Sequence, residues 1–467
     1  MDDAIGQGCS VHFAAGVHTV TNRLGYTLSG TEADPVVIRG DGSDTTKILR
    51  PDAAQNLLDL QGEHFVLRDL ELEGGSRGVR LEGDTAHARF ENLVVYGTAD
   101  AAFTANQTGA TFTDLTIRSC ELYDTRGLGE CLYLGCHNGA CDFGPALVEF
   151  NHCHDTQSDQ GSGQGDGIDL KGGSFDVIVR HNVIERTAGP GILAYGNGGR
   201  GRNIIEGNLI VDSGNVGIQV TSDAIVRNNV VIRSGGDGAG LNGSATNQGI
   251  ANDVQWLHNT VVMTNPAAGC LEARGWNDGI SNMVIANNAL FCPGGTALFV
   301  PGASFGVIAN NAIEGATALD SGTFDGGSYL DALIDAVQGN AYPVPGSVLF
   351  GGGTDAHTVD EDFNCLMRDP AQVDVGAYRD AGPTNPGATG GAFKICLGPP
   401  TPEDTSDTGS PPAEPGDPRR PSDTASATPP SGCGCGTGQP RVGAVGFLFG
   451  LGLLRRRAWG AARGRAR

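Results

Sequence analysis

Two short patterns of apolar and polar positions alternate through most of the chain. The first is an apolar-x-x-Asn-apolar strand that runs into a turn. It reads VRHNVIERT (179–187), IEGNLIVDS (205–213), VRNNVVIRS (226–234), WLHNTVVMT (256–264), IANNALFCP (285–293) and IANNAIEGA (308–316). The shared asparagines are Asn182, Asn208, Asn229, Asn259, Asn288 and Asn311, and upstream Asn151, Cys120, Leu93 and Leu70 hold the same slot. Spacings from Leu70 onward are 23, 27, 31, 31, 26, 21, 30, 29 and 23 residues. The second pattern, Gly-apolar-x-apolar, reads GVRLEG (78–83), GIDLKG (167–172), GILAYG (191–196) and GIQV (217–220). Each period therefore holds at least two short strands whose side chains alternate between faces. A period of this length, made only of strands and turns, predicts a solenoid of stacked β-coils paired in parallel. An Asn at a bend then meets the Asn of the next coil and satisfies turn backbone groups that would otherwise be buried unpaired. The Asn column is read as structural.

Composition agrees with this picture. Gly is frequent, at 74 of 467 residues, and aromatics make up only 6%, which suits short strands and tight turns better than long helices. The net charge of −23 hides a split: from residue 398 onward there are 9 Arg and 6 acidic residues, leaving 21 basic against 47 acidic before it. So acidic a body argues against sequence-independent nucleic-acid binding and offers carboxylates to cations. The 12 cysteines show no paired zinc-knuckle spacing, so disulfides in an oxidising compartment are expected. Met1-Asp2-Asp3-Ala4 has neither a basic nor an apolar leader, so export requires that the true start lie upstream. Residues 3–20 read as the end of a capping helix entering a first strand.

The run GVHTV…LSGTEADPVVIRG (16–40), the Asn-bearing coils and VDVGAY (373–378) resemble bacterial right-handed parallel β-helix proteins. That resemblance covers roughly residues 5–380 and implies an all-β fold, a single right-handed parallel β-helix of roughly 10–12 coils. The expected layout is an N-terminal cap and first strand (1–20), the β-helix (21–345) and its C-terminal cap (346–397). A Pro/Ser/Thr-rich, unstructured stalk (398–431) follows, because nothing in it can bury a core. The tail (432–467) holds SGCGCGTG, the apolar run VGAVGFLFGLGLL and an Arg cluster opening with Arg455-Arg456-Arg457. This order resembles the MYXO-CTERM class of sorting tails. The resemblance implies a short hydrophobic helix, its Arg cluster on the cytoplasmic side, Cys433 and Cys435 as the modified residues, and a sorting machinery as partner.

Aligning the Gly-apolar-x-apolar strands with Ile168 and Leu170 inward puts Asp169 and Lys171 on the outer face. The same two slots hold Arg80/Glu82, Thr104/Asn106, Tyr133/Gly135, Leu193/Tyr195, Gln219/Thr221, Asn242/Ser244 and Glu272/Arg274. Such a polar and aromatic ribbon suits an extended sugar chain, with Asn106, Tyr133, Asp169, Tyr195, Gln219, Asn242, Glu272 and Arg274 as candidate contacts. An ordinary solvated strand face would read the same way. The most distinctive point is Gly165-Asp166-Gly167-Ile168-Asp169-Leu170-Lys171-Gly172, since Lys171 is one of three lysines in the chain. Glu130 takes the slot of Asp166 one coil earlier, and His152, His154, Asp155 and Asp159 read as the preceding loop. Glu130, Asp166 and Asp169 together suit a hard cation such as Ca²⁺. A lysine beside a bound cation is a candidate base. Cys131, Cys136, Cys141 and Cys153, with His137, His152 and His154, do not match common zinc frameworks. Two disulfides are expected there, with three connectivities open, and Cys270–Cys292 and Cys365–Cys396 are further candidate pairs.

The 165–172 segment is similar to the catalytic strand of the alginate-lyase and chondroitinase-B type of β-helix lyases. That resemblance implies an acidic Ca²⁺ ligand at Asp166 and a catalytic lysine at Lys171. The segment also resembles the Asp-Asp-Gly-Phe-Asp calcium motif of a pectate-lyase family, onto which Asp166 and Asp169 map. Two positions depart: Ala194-Tyr195 stand where the first family has Arg-His, and Gly165 where the second has its leading Asp. Arg200 and Arg202 are the candidate replacements for the missing Arg. Two classes of function fit, with a monomer expected in either. One is a surface-anchored Ca²⁺-dependent lyase acting on an acidic polysaccharide. The other is a non-catalytic glycan-binding or structural surface β-helix protein.

Overall fold

The computed structural model describes residues 3–159, 163–235, 238–246, 249–251, 253–274, 283–301 and 306–380. The stalk and the tail, with Cys433 and Cys435, lie outside the described residues, as does Cys396. The described chain winds as an all-β, right-handed parallel β-helix of about 11 turns, within the expected number of coils. Each coil contributes three strands, one to each of three parallel sheets. In one coil these are Ile168–Leu170, Val177–Arg180 and Val183–Glu185, which pair onward with Ile192–Ala194, Asn203–Glu206 and Leu209–Val211.

Strands this short work because inward positions repeat in every coil. Leu132, Ile168, Ile192, Ile218, Leu241 and Leu271 stack in register and are fully buried, so a continuous apolar column forms where no single coil could bury itself. The helix expected near the start is absent. Asp3–Gly6 pairs instead with Tyr26–Ser29, and Ser10–His12 and Gly16–Thr19 complete a full coil. A sheet edge with open hydrogen bonds recruits this alternating segment as a strand.

The bend between the second and third sheets carries the Asn column. The residue before each slot takes a left-handed backbone, from Asp69, Asn92 and Ser119 to Phe150, His181, Gly207, Asn228, His258, Asn287 and Asn310. The buried asparagine that follows then bridges two coils. The backbone N and Nδ2 of Asn182 both donate to Oδ1 of Asn208, at 3.0 and 2.9 Å, while Asn208 Nδ2 donates to the Val179 carbonyl at 2.9 Å. Asn208 makes the same contacts to Asn229, at 3.0 Å each, and the ladder continues through Asn259 and Asn288 to Asn311. Removing one rung strands several buried donors and acceptors, each costing about 1–3 kcal/mol. Asn208→Ala is therefore expected to lower unfolding stability by roughly 3–5 kcal/mol, read as a shift of the urea midpoint with unchanged m-value.

The outward side of the third sheet changes character along the stack. Outward residues are polar or aromatic in the early coils, as in Glu71, Tyr96, Tyr123 and His154. The outward column that runs from Glu121 and His152 turns apolar at Val183 and continues through Leu209 and Val230, past Thr260, to Ala289 and Ala312. Leu333, Ala341, Leu349, Phe363, Val375 and Tyr378 cover that apolar stretch. Asn228 Nδ2 donates to the Glu361 carbonyl at 2.7 Å, and the Ala377 amide donates to Thr260 Oγ1 at 2.9 Å. The described part of the segment expected to cap the end of the stack thus lies along its side, because the apolar surface needing cover is lateral.

Candidate functional site

The strands of the first sheet place the candidate residues in two columns. Thr104, Tyr133, Asp169, Leu193, Gln219, Asn242 and Glu272 are in register, as the sequence alignment expects. Two residues further along each strand come Asn106, Gly135, Lys171, Tyr195, Thr221, Ser244 and Arg274. Asp166-Gly167 leads into the central strand. A Cβ at Gly167 would lie 2.4 Å from the Gly191 carbonyl oxygen, so only glycine permits this close stacking of coils.

Asp169 and Lys171 project from the side of the strand opposite the core, but they are not open to solvent. Lys171 is 4% exposed and Asp169 is fully buried, which corrects the expectation of an open ribbon at this point. The cause lies in the neighbouring coils. Tyr133 from the coil before and Tyr195 from the coil after bracket the Lys171 ammonium, with ring centres 4.7 and 5.0 Å from Nζ. Nζ also lies 2.5 Å from Asp169 Oδ2.

Three buried carboxylates converge beside this ammonium. Glu130, Asp166 and Asp169 each offer an oxygen within 4.8 Å of the other two. Both carboxylate oxygens of Glu130 and Oδ1 of Asp166 are buried without a hydrogen-bond partner. Buried unpaired charge is costly, and the titration of the groups reflects it. Burial, then the charge of Asp169, pushes Glu130 up to about 7. Asp166 is held well above the usual carboxylate range by burial, then by Asp169 and Glu130. Asp169 is raised by burial against the opposing pull of Lys171. Burial pushes Lys171 down, but Asp169 and Tyr133 more than offset it and keep it charged. Burial also pushes the Tyr133 phenol up to about 12 and raises Tyr195. Three buried carboxyl groups with orphaned oxygens beside one ammonium make a set of oxygen donors that a hard divalent cation would fit, with Glu130, Asp166 and Asp169 as its ligands.

The two candidate arginines are engaged elsewhere. Arg200 pairs with Asp142 at 2.9 Å, donates to the Gly173 carbonyl, and lies 4.0 Å over the Phe175 ring. Arg202 pairs with Asp253. Neither is brought to Lys171, and Ala194 points into the core. Arg200 instead lines a cleft of about 670 Å³ that starts beside Lys171 at Gly172 and Gly173 and includes Asn197, Thr221 and Asp223. Further along the face, Gln219 is half-buried, Asn242 is buried with an unpartnered Oδ1, and Arg274 folds back onto Glu272 at 2.5 Å. Asn106 is half-buried at the end of its strand. The sequence reading missed the buried, unpartnered hydroxyls of Thr104, Thr221 and Ser244, whose only signal was their place in the two columns.

Cysteine pairing resolves the open alternatives. The disulfides are Cys131–Cys153, Cys136–Cys141 and Cys270–Cys292, and Cys365 is also disulfide-bonded. His152 and His154 do not sit in a loop before the site. They lie on the strand His152–His154 of the third sheet, because Cys153 between them points inward to its disulfide.

A sequence model described as a right handed beta helix region matches residues 59–231 and 106–274. No curated protein sequence matches the chain. Among solved structures, the PL6 family alginate lyase AlyGC is similar at 17% identity and a TM-score of 0.48, over 73% of this chain and 53% of that one. A single-residue variant of AlyGC matches at 18% identity and a TM-score of 0.50, over 81% and 57%. Pectate lyase Pel9A matches at 14% identity and a TM-score of 0.45, over 80% and 88%. The chain thus spans little more than half the length of AlyGC. What it shares with the AlyGC variant is the right-handed parallel β-helix fold.

Proposed function

We propose that the protein acts on an acidic polysaccharide at the Glu130, Asp166, Asp169 and Lys171 cluster, as a divalent-cation-dependent lyase. The observation that carries this reading is the convergence of three buried carboxylates, with orphaned oxygens, on one buried lysine whose chain neighbours Gly172 and Gly173 line a cleft. A Ca²⁺ ion held by the three carboxylates would screen a uronate carboxylate and make the C5 proton more acidic. Lys171 serves as base only as a free amine. When the charge of Asp169 is drawn elsewhere, burial becomes the dominant influence on Lys171 and lowers it toward that form. In the elimination, Lys171 takes the C5 proton, the C4–O bond breaks, a C4–C5 double bond forms, and the leaving oxygen gains a proton. Tyr133 and Tyr195, kept as neutral phenols beside Lys171, are placed to supply that last proton. The likeness to PL6 alginate and pectate lyases supports the fold this chemistry needs, and the chemistry itself rests on the site.

The test is an assay of the full-length protein on a panel of uronate polysaccharides, with Ca²⁺ and with chelator. Ultraviolet-absorbing unsaturated ends should accumulate only with the cation, and their absence on every uronate would overturn the lyase reading. One observation favours the second class of function: Lys171 is almost fully shielded by two tyrosines. A non-catalytic glycan-binding protein would keep affinity for a uronate chain in the same panel and turn none over. Either reading places the protein outside the cytoplasm, supported by its disulfides. Anchoring through the tail, at Cys433 and Cys435, belongs to the proposal.

A further inference from the structure

A second cluster of titratable side chains lies on the third sheet and shares no residue with the Lys171 site. Glu121, His152 and Glu185 come from three successive coils, with His154 beside His152 on the middle strand. All four project outward, just before the coils that the C-terminal segment covers. Glu121, His152 and His154 each offer a ligand atom within 4.8 Å of the others.

The hydrogen-bonding capacity of the two imidazoles does not match their surroundings. His154 has Asp155 Oδ2 at 2.7 Å from Nδ1 and Glu121 Oε1 at 3.1 Å from Nε2. His152 has Glu185 Oε2 at 3.3 Å from Nε2 and Glu121 Oε1 at 3.8 Å from Nδ1. A neutral imidazole carries one N–H, so an acceptor on both sides leaves one nitrogen lone pair facing a carboxylate. A cation held by His152 Nδ1, His154 Nε2 and Glu121 resolves it, and leaves the His152 Nε2–H to donate to Glu185.

The supporting residues fix His154 in the form a metal needs. Arg186 grips Asp155 through Nε and Nη2, at 2.7 and 2.9 Å, and also meets Glu185 at 3.2 Å. A carboxylate held this firmly keeps the proton on Nδ1 and frees Nε2 as a ligand, the arrangement that orients metal-binding histidines. The His154 ring is stacked 4.8 Å from Tyr123, which is stacked 4.8 Å from Tyr96, so its plane is set by a column of rings. Two imidazole nitrogens with one carboxylate select a borderline transition-metal ion over Ca²⁺, which takes oxygen ligands. Glu121 is 43% exposed, leaving one side of the cluster open for entry.

We propose that Glu121, His152 and His154 bind one divalent ion of the Zn²⁺ class, with Asp155 orienting His154 and Glu185 orienting His152. The test uses the full-length, untagged protein after dialysis against chelator. Titration with Co²⁺, read by its visible ligand-field bands, is followed by displacement with Zn²⁺ and by calorimetry. One saturable equivalent is expected, weakened at least about 100-fold in His152→Gln/His154→Gln and roughly 10–100-fold in Asp155→Asn. Asp166→Asn/Asp169→Asn should retain it, which separates this site from the Lys171 cluster. If the double histidine variant does not fold, Asp155→Asn alone decides, since its exposed side chain leaves the core untouched. No binding by the wild type below about 100 μM, about 5.5 kcal/mol, or binding unchanged in the variants, would overturn the proposal.

Discussion

Lys171→Ala is expected to abolish release of unsaturated oligosaccharide, with a loss of at least about 10³-fold in kcat. The size follows from the absence of a substitute. Neither candidate arginine can stand in, since Arg200 is committed to Asp142 and Arg202 to Asp253. Alanine also removes the one positive charge beside three buried carboxylates, so the variant should be less stable near neutrality by about 3 kcal/mol or more. Two controls separate these effects. Lys171→Arg keeps a positive charge beside Asp169 but cannot give up its proton, so it should recover much of the stability and none of the turnover. Tyr195→Phe keeps the ring over Lys171 and removes only the hydroxyl, so a loss of kcat at unchanged KM would assign the phenol to the proton transfer. Retention of turnover within tenfold of wild type in Lys171→Ala would sink the assignment of the base.

Much of the architecture was legible because a solenoid writes its geometry into spacing. The Asn slot and the Gly-apolar-x-apolar strands predicted which residues stack, and Tyr133, Asp169, Leu193 and Gln219 are in that register. Alternation tells which side of a strand a residue leaves from, but it is silent on what closes over it. Alternation therefore puts Lys171 on the correct side but misses its burial, since its shielding comes from Tyr195 in the same slot of the next coil and Tyr133 two residues offset in the coil before. The lateral course of residues 333–378 had a readable signal in VIE, LIV and VVI. LIV and VVI are apolar at every position and VIE at its first two, and such strands are buried on both faces. His-Cys-His at 152–154 was legible by the same period-2 rule. An inward, disulfide-forming Cys153 forces both histidines outward, whereas reading the segment as a loop discarded that information. Connectivity among Cys131, Cys136, Cys141 and Cys153 was not legible, because it depends on distances between coils.

The buried carboxylates should also make stability fall as pH rises in the absence of a divalent cation. Glu130 titrates at about 7 in the folded chain, above its ordinary 4.5. Between those values the folded state binds more protons than the unfolded state, so raising the pH removes stability. Its contribution is present below about 4.5, is lost through about 7, and amounts to about 3 kcal/mol. Asp166 and Asp169 shift the same way and steepen the fall, while Lys171 stays charged in both states and adds no slope in this window. His258 acts in the opposite sense. Burial holds it well below its ordinary 6.5, so it destabilises the fold as pH drops through that value. A bare pH profile therefore mixes two signs, and the informative quantity is the difference between chelator and saturating Ca²⁺. A cation on the three carboxylates competes with their protons, so Ca²⁺ should stabilise little at pH 5 and by roughly 3 kcal/mol or more at pH 8. Glu130→Gln removes the Glu130 proton from this linkage and leaves His258 untouched, so it should flatten the profile in chelator and blunt the Ca²⁺ effect. Urea unfolding from pH 5 to 8, with and without Ca²⁺, measures this directly. A Ca²⁺ stabilisation that does not grow with pH, or is identical in Glu130→Gln, would show that the three carboxylates do not hold the ion.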